Sequence, residues 1–359
     1  MKFQDVLEIK NGKNQKKVEN PDGKYPIYGS GGVMGRADEY ICDKNTVVIG
    51  RKGSINNPIY VTEPFWNVDT AFGLVANPQI LMPKYLYYFC VNFDFEKLNT
   101  TVTIPSLTKA NLLQIDIQVP PLDKQHEIIE ILESIDRLIE NKNKQKEKIE
   151  QLVKSRFIEL FGNGNYPYEK LENNVVEMFI GPFGSSLKNE YFVDEDNAYC
   201  MVYEQKHAIQ KTMEVPTRYV DEKKYNELKR FSVLGGDIIV SCRGTIGEIY
   251  AIPDSAPMGI MHPSIMKIRL KKDKYNQKFF VFALEQYMSE HNAEARGSGV
   301  KMAVSATVLG QSDFIIPPMS TQNDFVLFVE QTDKSKFEIQ KSLEKLEILK
   351  KSLMQQYFG

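Results

Sequence analysis

The sequence has little of what metal and redox centres are built from. Its four cysteines, Cys42, Cys90, Cys200 and Cys242, lie far apart and form no Cys-x-x-Cys pair, which argues against a zinc site or a dithiol motif. The four histidines, His126, His207, His262 and His291, show no His-Glu-x-x-His spacing. No Gly-x4-Gly-Lys-Ser/Thr loop is present, so nucleotide hydrolysis is not expected, and no Ser/His/Asp or Cys/His arrangement emerges from spacing. We therefore expect no catalytic residue, no metal and no cofactor. No apolar run approaches the roughly 18 residues of a membrane span, and Met1–Asp5 carries no apolar signal core. Those two absences place the expected protein in the cytoplasm, away from any membrane. An excess of positive charge is also missing. With 45 Lys and Arg against 47 Asp and Glu the net charge is −2, which argues against non-specific coating of nucleic acid. Sequence-specific DNA binding remains compatible, because basic groups can gather on one face.

What the chain does have is a repeat. Its 359 residues suit two or three domains. The segment Val119-Pro120-Pro121-Leu122-Asp123-Lys124-Gln125 returns as Ile316-Pro317-Pro318-Met319-Ser320-Thr321-Gln322, and the match continues without a gap to Gly162 against Gly359. Glu133/Glu330, Asp136/Asp333, Glu147/Glu344, Lys148/Lys345, Leu152/Leu349 and Ser155/Ser352 are identical pairs within it. The segments ahead of each copy repeat more faintly. Asp5–Ile9 with Gly12 matches Asn174–Met178 with Gly181, and Val47–Ile49 with Gly53-Ser54-Ile55 matches Ile238–Val240 with Gly244-Thr245-Ile246. The spacing between matches grows along the domain, so the second copy carries extra residues.

The ungapped segments read as long helices. Pro120-Pro121 sets up a helix start, and no Pro or Gly follows until Gly162. Apolar residues recur at helical spacing with a coiled-coil flavour. The expected packing positions are Ile128, Ile135, Leu138, Ile149 and Leu152 on the first helix, and Phe325, Phe328, Ile339, Leu346 and Leu349 on the second. Each helix is about 55 Å long at 1.5 Å per residue and stops at Phe-Gly. A lone amphipathic helix of this length needs a partner, and its own repeat is the obvious one. The expected fold is therefore α+β. It has two mixed, strand-rich domains (1–118 and 163–315) and two long helices (119–162 and 316–359) paired as an antiparallel coiled coil, with a pseudo-two-fold internal repeat. Strands are expected over Thr46–Ile49, Ile59–Val61, Asp237–Val240, Ile249–Ile252 and Ile265–Leu270, with helices near Lys84–Phe93 and Gln277–Glu290.

These residues resemble a known family. The first domain carries Tyr25-Pro26-Ile27-Tyr28-Gly29-Ser30-Gly31-Gly32, Val47–Ile55 and Phe65-Trp66-Asn67-Val68-Asp69-Thr70-Ala71-Phe72, and closes with Ile104-Pro105-Ser106-Leu107. The second carries Gly181-Pro182-Phe183-Gly184-Ser185-Ser186-Leu187-Lys188 and Gly236–Gly247. Together with the two Pro-Pro helix starts they resemble the specificity subunit of type I restriction-modification enzymes over essentially the whole chain. The resemblance implies two target-recognition domains, each reading half of a split DNA sequence, and helices that fix the unread gap. It implies double-stranded DNA, two methyltransferase subunits and restriction subunits as partners, with adenine methylation and cleavage carried out by those subunits. The second domain departs from the pattern, having Met261-His262-Pro263-Ser264 in place of a Trp-Asn-Val-Asp-Thr segment.

Candidate DNA contacts follow from chemistry, since Arg reads guanine bidentately and both Arg and Lys pair with phosphate. Arg51, Lys52 and Ser54 flank the first matched Gly turn, and Arg243 and Thr245 the second. Lys10, Lys13 and Lys16 surround Gly12, Ser185 and Lys188 follow Gly181, and Arg36, Lys109, Arg230, Arg296 and Lys301 complete the set. Trp66 reads as core. Two rivals to a recognition subunit need stating. Asn57-Pro58-Ile59-Tyr60 resembles the Asn-Pro-Pro-Tyr motif of amino-methyltransferases with one proline lost, and Phe161-Gly162-Asn163-Gly164 faintly resembles a cofactor loop, so a stand-alone DNA adenine methyltransferase is one alternative. A specificity chain of a related defence system is another.

Overall fold

The computed structural model describes residues 1–99, 105–298 and 305–359, without side-chain placement for 291–298. The chain forms two compact units, 1–147 with 337–359, and 148–336.

In the first unit α1 (Phe3–Val6) leads into β1 (Leu7–Asn11), followed by β2 (Tyr25–Gly29), β3 (Gly32–Ala37), β4 (Thr46–Gly50), β5 (Ile59–Val61), β6 (Trp66–Asn67) and β7 (Ala71–Ala76). The main sheet has the order β1-β7-β4-β5 and is antiparallel throughout. Its β4, Thr46-Val47-Val48-Ile49-Gly50, is buried at every position, which is why Val47-Val48-Ile49 is apolar without alternation, and the buried Thr46 hydroxyl donates to Asp43 O at 2.7 Å. A smaller sheet, β3-β2-β6, pairs β2 with β6 in parallel. Helix α2 (Pro83–Asn92) starts on a proline at its first turn, where no N–H is needed. Its Tyr85, Leu86, Tyr88 and Phe89 pack onto Ile9, Val47, Ile49, Phe72 and Leu74 of the main sheet. After α3 (Lys109–Leu113) comes the first long helix, α4 (Leu122–Phe161).

The second unit repeats the frame with insertions. Its elements are β8 (Tyr168–Lys170), β9 (Val175–Ile180), β10 (Cys200–Tyr203), α5 (Gln205–Gln210), β11 (Tyr219–Val220), α6 (Glu222–Glu227), β12 (Ser232–Val233), β13 (Ile238–Ser241), β14 (Ile249–Ala251), β15 (Gly259–Met261), β16 (Ile265–Leu270), α7 (Gln277–Ser298), α8 (Ala306–Gly310), β17 (Asp313–Ile315) and the second long helix, α9 (Met319–Phe358). The sheet β9-β16-β13-β14 is again antiparallel. It has the same sequence of roles as β1-β7-β4-β5, and β10 pairs with β15 in parallel as β2 does with β6. Phe279, Phe280 and Leu284 of α7 cover Val175, Ile238, Val240, Met266 and Ile268. The short strands and helices expected from the sequence appear with boundaries shifted by a residue or two, except that α7 runs on to Ser298, and the two long helices begin three residues later than expected, at Leu122 and Met319.

Each unit contains a stretch of both long helices. In the first, Ile128, Ile129 and Leu132 of α4 share a core with Met354 of α9, Lys350 pairs with Asp136 at 2.5 Å, and Lys146 donates to Gln340 at 3.3 Å. In the second, Val153 and Phe161 share a core with Phe325 and Val326. Three expected packing positions need correcting. Leu138, Leu152 and Leu349 are 49%, 52% and 47% exposed. The covered stripe falls one residue later, on Ile139, Val153 and Lys350, and continues through half-buried Lys142, Lys146 and Lys336. The sequence reading followed aliphatic character, whereas the covered face of each helix also takes lysines whose methylene stems are half-buried. Ile128, Ile135, Phe325 and Ile339 are buried, and Ile149, Phe328 and Leu346 are half-buried.

Candidate nucleic-acid interface

At one end of each main sheet three loops meet. In the first unit β1 ends at Asn11, β4 ends at Gly50 and β7 begins at Ala71, and these ends lie side by side in register. Gly12 N donates to Ala71 O at 3.3 Å and Lys13 N to Asn67 O at 2.8 Å. Arg51 N and Lys52 N both donate to Thr70 O, at 2.8 and 3.2 Å. In the second unit Gly181 N donates to Ile265 O at 2.9 Å, and Cys242 N to Ser264 O at 2.8 Å. Thr70 and Ser264 therefore hold equivalent turns, and Met261-His262-Pro263-Ser264 takes the place of the Trp66–Thr70 segment despite the lost sequence likeness.

The matched glycines explain themselves at this end. Gly53 and Gly244 have φ of +82° and +68°, a region that strains any residue with a Cβ. A Cβ on Gly12 would fall 1.7 Å from Val68 O, and one on Gly181 would fall 2.3 Å from His262 O. Each loop can cross its neighbour only as bare backbone.

These loops display the candidate contacts unevenly. Lys13, Lys16, Arg51, Lys52 and Ser54 are exposed on the first unit, and Ser185, Lys188, Arg243 and Thr245 on the second. Arg51 is steadied by a 3.5 Å contact to Asp69 O, and Lys188 lies 3.8 Å from Glu190. Arg230 sits with its guanidinium 5.6 Å from the Phe179 ring centre, one residue before β9 ends. Three other candidates are engaged in holding the fold together. Lys109 Nζ donates to Ile9 O at 2.7 Å. Arg36 donates to Gly23 O and Lys24 O at 2.6 and 2.7 Å. Lys10 Nζ lies 3.4 Å from Ile41 O and 4.0 Å from Asp43. Lys301, and the side chain of Arg296, lie outside the described residues.

Behind the second unit's loops is a buried polar cluster that sequence spacing did not signal. Burial acts to raise the Glu204 carboxyl, but hydrogen bonds from Arg218 and Lys206 outweigh it and hold the group below the usual carboxylate range. His207, fully buried, receives Glu204 N on its Nδ1 at 3.0 Å, and burial pushes its pKa down. His262 is lowered for the same reason, with Ser264 Oγ at 2.7 Å. Lys267 is fully buried between Ser232 O at 2.7 Å and Glu177 at 3.3 Å, and burial lowers its pKa first of all. Glu204 is paired by Lys206 and Arg218, and Lys267 by Glu177 and Ser232 O, whereas His207 Nε2 is buried without a hydrogen-bond partner among the described residues.

The motifs behind the methyltransferase alternative are structural. Ile59 and Tyr60 lie on the edge strand β5, with Tyr60 bonded to Asn45, and Phe161 is packed in the second core. Trp66 is buried as expected and donates to Lys13 O at 3.0 Å. Among the described residues no group of His, Cys, Asp and Glu is placed to hold a metal, and no helix is long and apolar enough to cross a membrane.

The family profile for the type I restriction modification DNA specificity domain matches residues 1–151 and again 161–350. The chain belongs to that family. A Haemophilus influenzae protein named as a type I restriction enzyme specificity subunit is 27% identical over 239 residues, covering 63% of this chain and 60% of that protein. The MjaVIII specificity subunit of Methanocaldococcus jannaschii is 24% identical over 272 residues, covering 70% of this chain and 63% of that one. The chain thus spans about three fifths of the length of these specificity subunits. Among solved structures, the type I restriction-modification S subunit from M. genitalium superposes with a TM-score of 0.57 at 18% identity, over 100% of this chain and 95% of that one. A chain from a structure of the type I R-M system superposes at 0.66 and 13% identity, over 100% and 96%. At such identities the likeness to solved structures is one of fold. The two profile matches fall on the two repeats of the specificity domain.

Proposed function

We propose that the chain is the non-catalytic, sequence-reading specificity subunit of a type I restriction-modification complex. In this reading residues 1–118 and 163–315 are target-recognition domains, each reading one half of a split site in double-stranded DNA. Residues 119–162 and 316–359 form an antiparallel coiled-coil strut, related by a pseudo-two-fold, that sets the unread gap. Two methyltransferase subunits carry out adenine methylation at the chosen site, and restriction subunits join the same complex. The observation that carries this is the convergence, in each unit, of exposed cations with backbone turns at one end of a repeated sheet. Arg51, Lys52 and Ser54 in one unit and Arg243 and Thr245 in the other project from the same strand end. Arg and Lys there supply base-edge and phosphate contacts, and divergence of the surrounding loops suits two different half-sites. The pairs Asp136–Lys350 and Lys146–Gln340 run in opposite chain directions, which supports the antiparallel strut.

The test is to co-express the chain with its methyltransferase partner and map adenine methylation. A split motif with a fixed gap is expected. Inserting one heptad into each helix, at matched positions of the seam, adds about 10 Å at 1.5 Å per residue. The gap should then grow by about three base pairs at 3.4 Å per step. An undivided motif overturns the two-domain reading, and an unchanged gap overturns the strut.

A further inference from the structure

Phe183 is 86% exposed, more than any other large apolar side chain among the described residues. Leaving a phenyl ring in water forfeits the gain of burying it, and its own loop leaves it uncovered. The loop is not loose. Pro182 is buried on one side of it and Leu187 on the other. Gly181 is bonded to Ile265 O, and the chain closes through Ser186 N to Phe183 O at 2.8 Å and Leu187 N to Gly184 O at 3.3 Å. With both ends clamped and Gly184, Ser185 and Ser186 following, the ring stands out on a small-residue stem. A Cβ on Gly184 would have nothing within 4 Å. The same strand end carries the turn with exposed Arg243 and Thr245, tied to Ser264 one residue from the Ile265 that holds Gly181. An outward aromatic on a braced loop that also carries exposed Lys188, at a sheet end that carries exposed Arg243, has the chemistry of a wedge that enters the base stack while cations hold the phosphates.

We propose that Phe183 inserts against a base step of the half-site read by the second unit, and so contributes to its recognition through stacking and step deformability. The proposal rests on the DNA-reading assignment above. Its counterpart loop in the first unit, after Gly12, carries Lys13-Asn14 instead, so the wedge belongs to one half-site only.

The experiment uses the full chain in complex with its methyltransferase partner. The probes are duplexes of the mapped target with 2-aminopurine placed at successive positions of each half-site. Phe183→Ala should weaken cognate binding about tenfold to a hundredfold, the range for losing one base–aromatic stack, and abolish a fluorescence rise confined to one step of the second half-site. Phe183→Trp should keep both. Melting temperature and complex assembly should stay at wild-type values, since the side chain is almost fully in solvent. Arg243→Ala is the control. Its weakening of binding with the fluorescence rise retained supports separate roles for cation and ring. Wild-type binding and fluorescence in Phe183→Ala overturn the wedge while leaving the Arg243 result to judge the DNA-reading assignment. Loss of the methyltransferase subunit from the Phe183→Ala complex overturns it in favour of a protein contact.

Discussion

Gln125 and Gln322 make the same three hydrogen bonds in their separate units. Each is fully buried. Gln125 Oε1 accepts from Met82 N at 2.8 Å, and its Nε2 donates to Ile80 O and Pro120 O at 2.8 Å each. Gln322 Oε1 accepts from Asn276 N at 2.8 Å, and its Nε2 donates to Lys274 O and Pro317 O at 2.8 Å each. One amide thus ties the start of the long helix to the start of the helix that covers the sheet. Lys84–Glu133 and Lys278–Glu330 repeat on the neighbouring surface.

A carboxylate in place of this amide tests the arrangement. Gln125→Glu keeps an acceptor for Met82 N but turns the donor into a second acceptor facing two carbonyls. Groups left unpaired in a buried site cost about 1–3 kcal/mol each, so the loss should reach about 3 kcal/mol in urea unfolding. Gln322→Glu should do the same in the second unit. By contrast Lys278→Ala, at an ion pair whose side chains are 63% and 41% exposed, should cost under about 1 kcal/mol. Equal losses from the two kinds of change would show that the glutamine is not the tie.

The covered face of the long helices makes a second prediction. Leu132 and Val153 are fully covered, at 0% and 4% exposure, whereas Leu138 and Leu152 are half in solvent. Leu132→Ala should cost about 2–5 kcal/mol through lost burial and the cavity left behind. Leu138→Ala and Leu152→Ala should stay within about 0.5–1 kcal/mol. A large loss at Leu138 would place the seam where aliphatic character alone put it.

The candidate cations divide by what they already touch. Lys52 and Arg243 are exposed at the strand ends, while Lys109 and Arg36 spend their donors on backbone carbonyls. Lys52→Ala and Arg243→Ala should weaken binding of the assembled complex to its target. A position that pairs with phosphate should also reduce the slope of log K against log salt by about one. Lys109→Ala and Arg36→Ala should lower the unfolding midpoint and leave the salt slope alone. A changed slope in Lys109→Ala would return it to the DNA-contact set.

Much of the frame was legible in the sequence because it depends on period and punctuation. The ungapped repeat, the Pro-Pro helix starts and the matched Gly-Ser/Thr-Ile turns located both helices and both cation-bearing loops. The equivalence of Thr70 and Ser264 was not legible, because both hold their turns through backbone oxygens, which leave side-chain identity free. Leu138 and Leu152 were misjudged because hydrophobicity does not fix which face of a helix is covered. Lys109 and Arg36 read as surface cations because their acceptors, Ile9 O and Gly23 O, belong to backbone brought near by the fold. Phe183 passed as one letter in a turn motif, since its exposure depends on the burial of Pro182 and Leu187 around it.

Acid should weaken the second unit in two stages. His207 and His262 both have pKa values lowered by burial. The unfolded chain takes up their protons near the ordinary value of about 6.5, whereas the folded chain resists until lower pH. Stability is therefore full above about pH 6.5 and declines as the pH falls below it. The depressed Glu204 carboxyl adds a second decline below its ordinary range, where the unfolded chain is protonated first and the bonds from Arg218 and Lys206 are lost only later. Thermal melting across pH 8 to 4 is the measurement. His207→Gln should flatten the slope between about pH 6.5 and 5, and adding His262→Gln should flatten it further. Neither should affect the fall near pH 4, which Glu204→Gln should reduce. A melting temperature that rises on acidification from pH 7 to 5 would contradict the sign derived for both histidines.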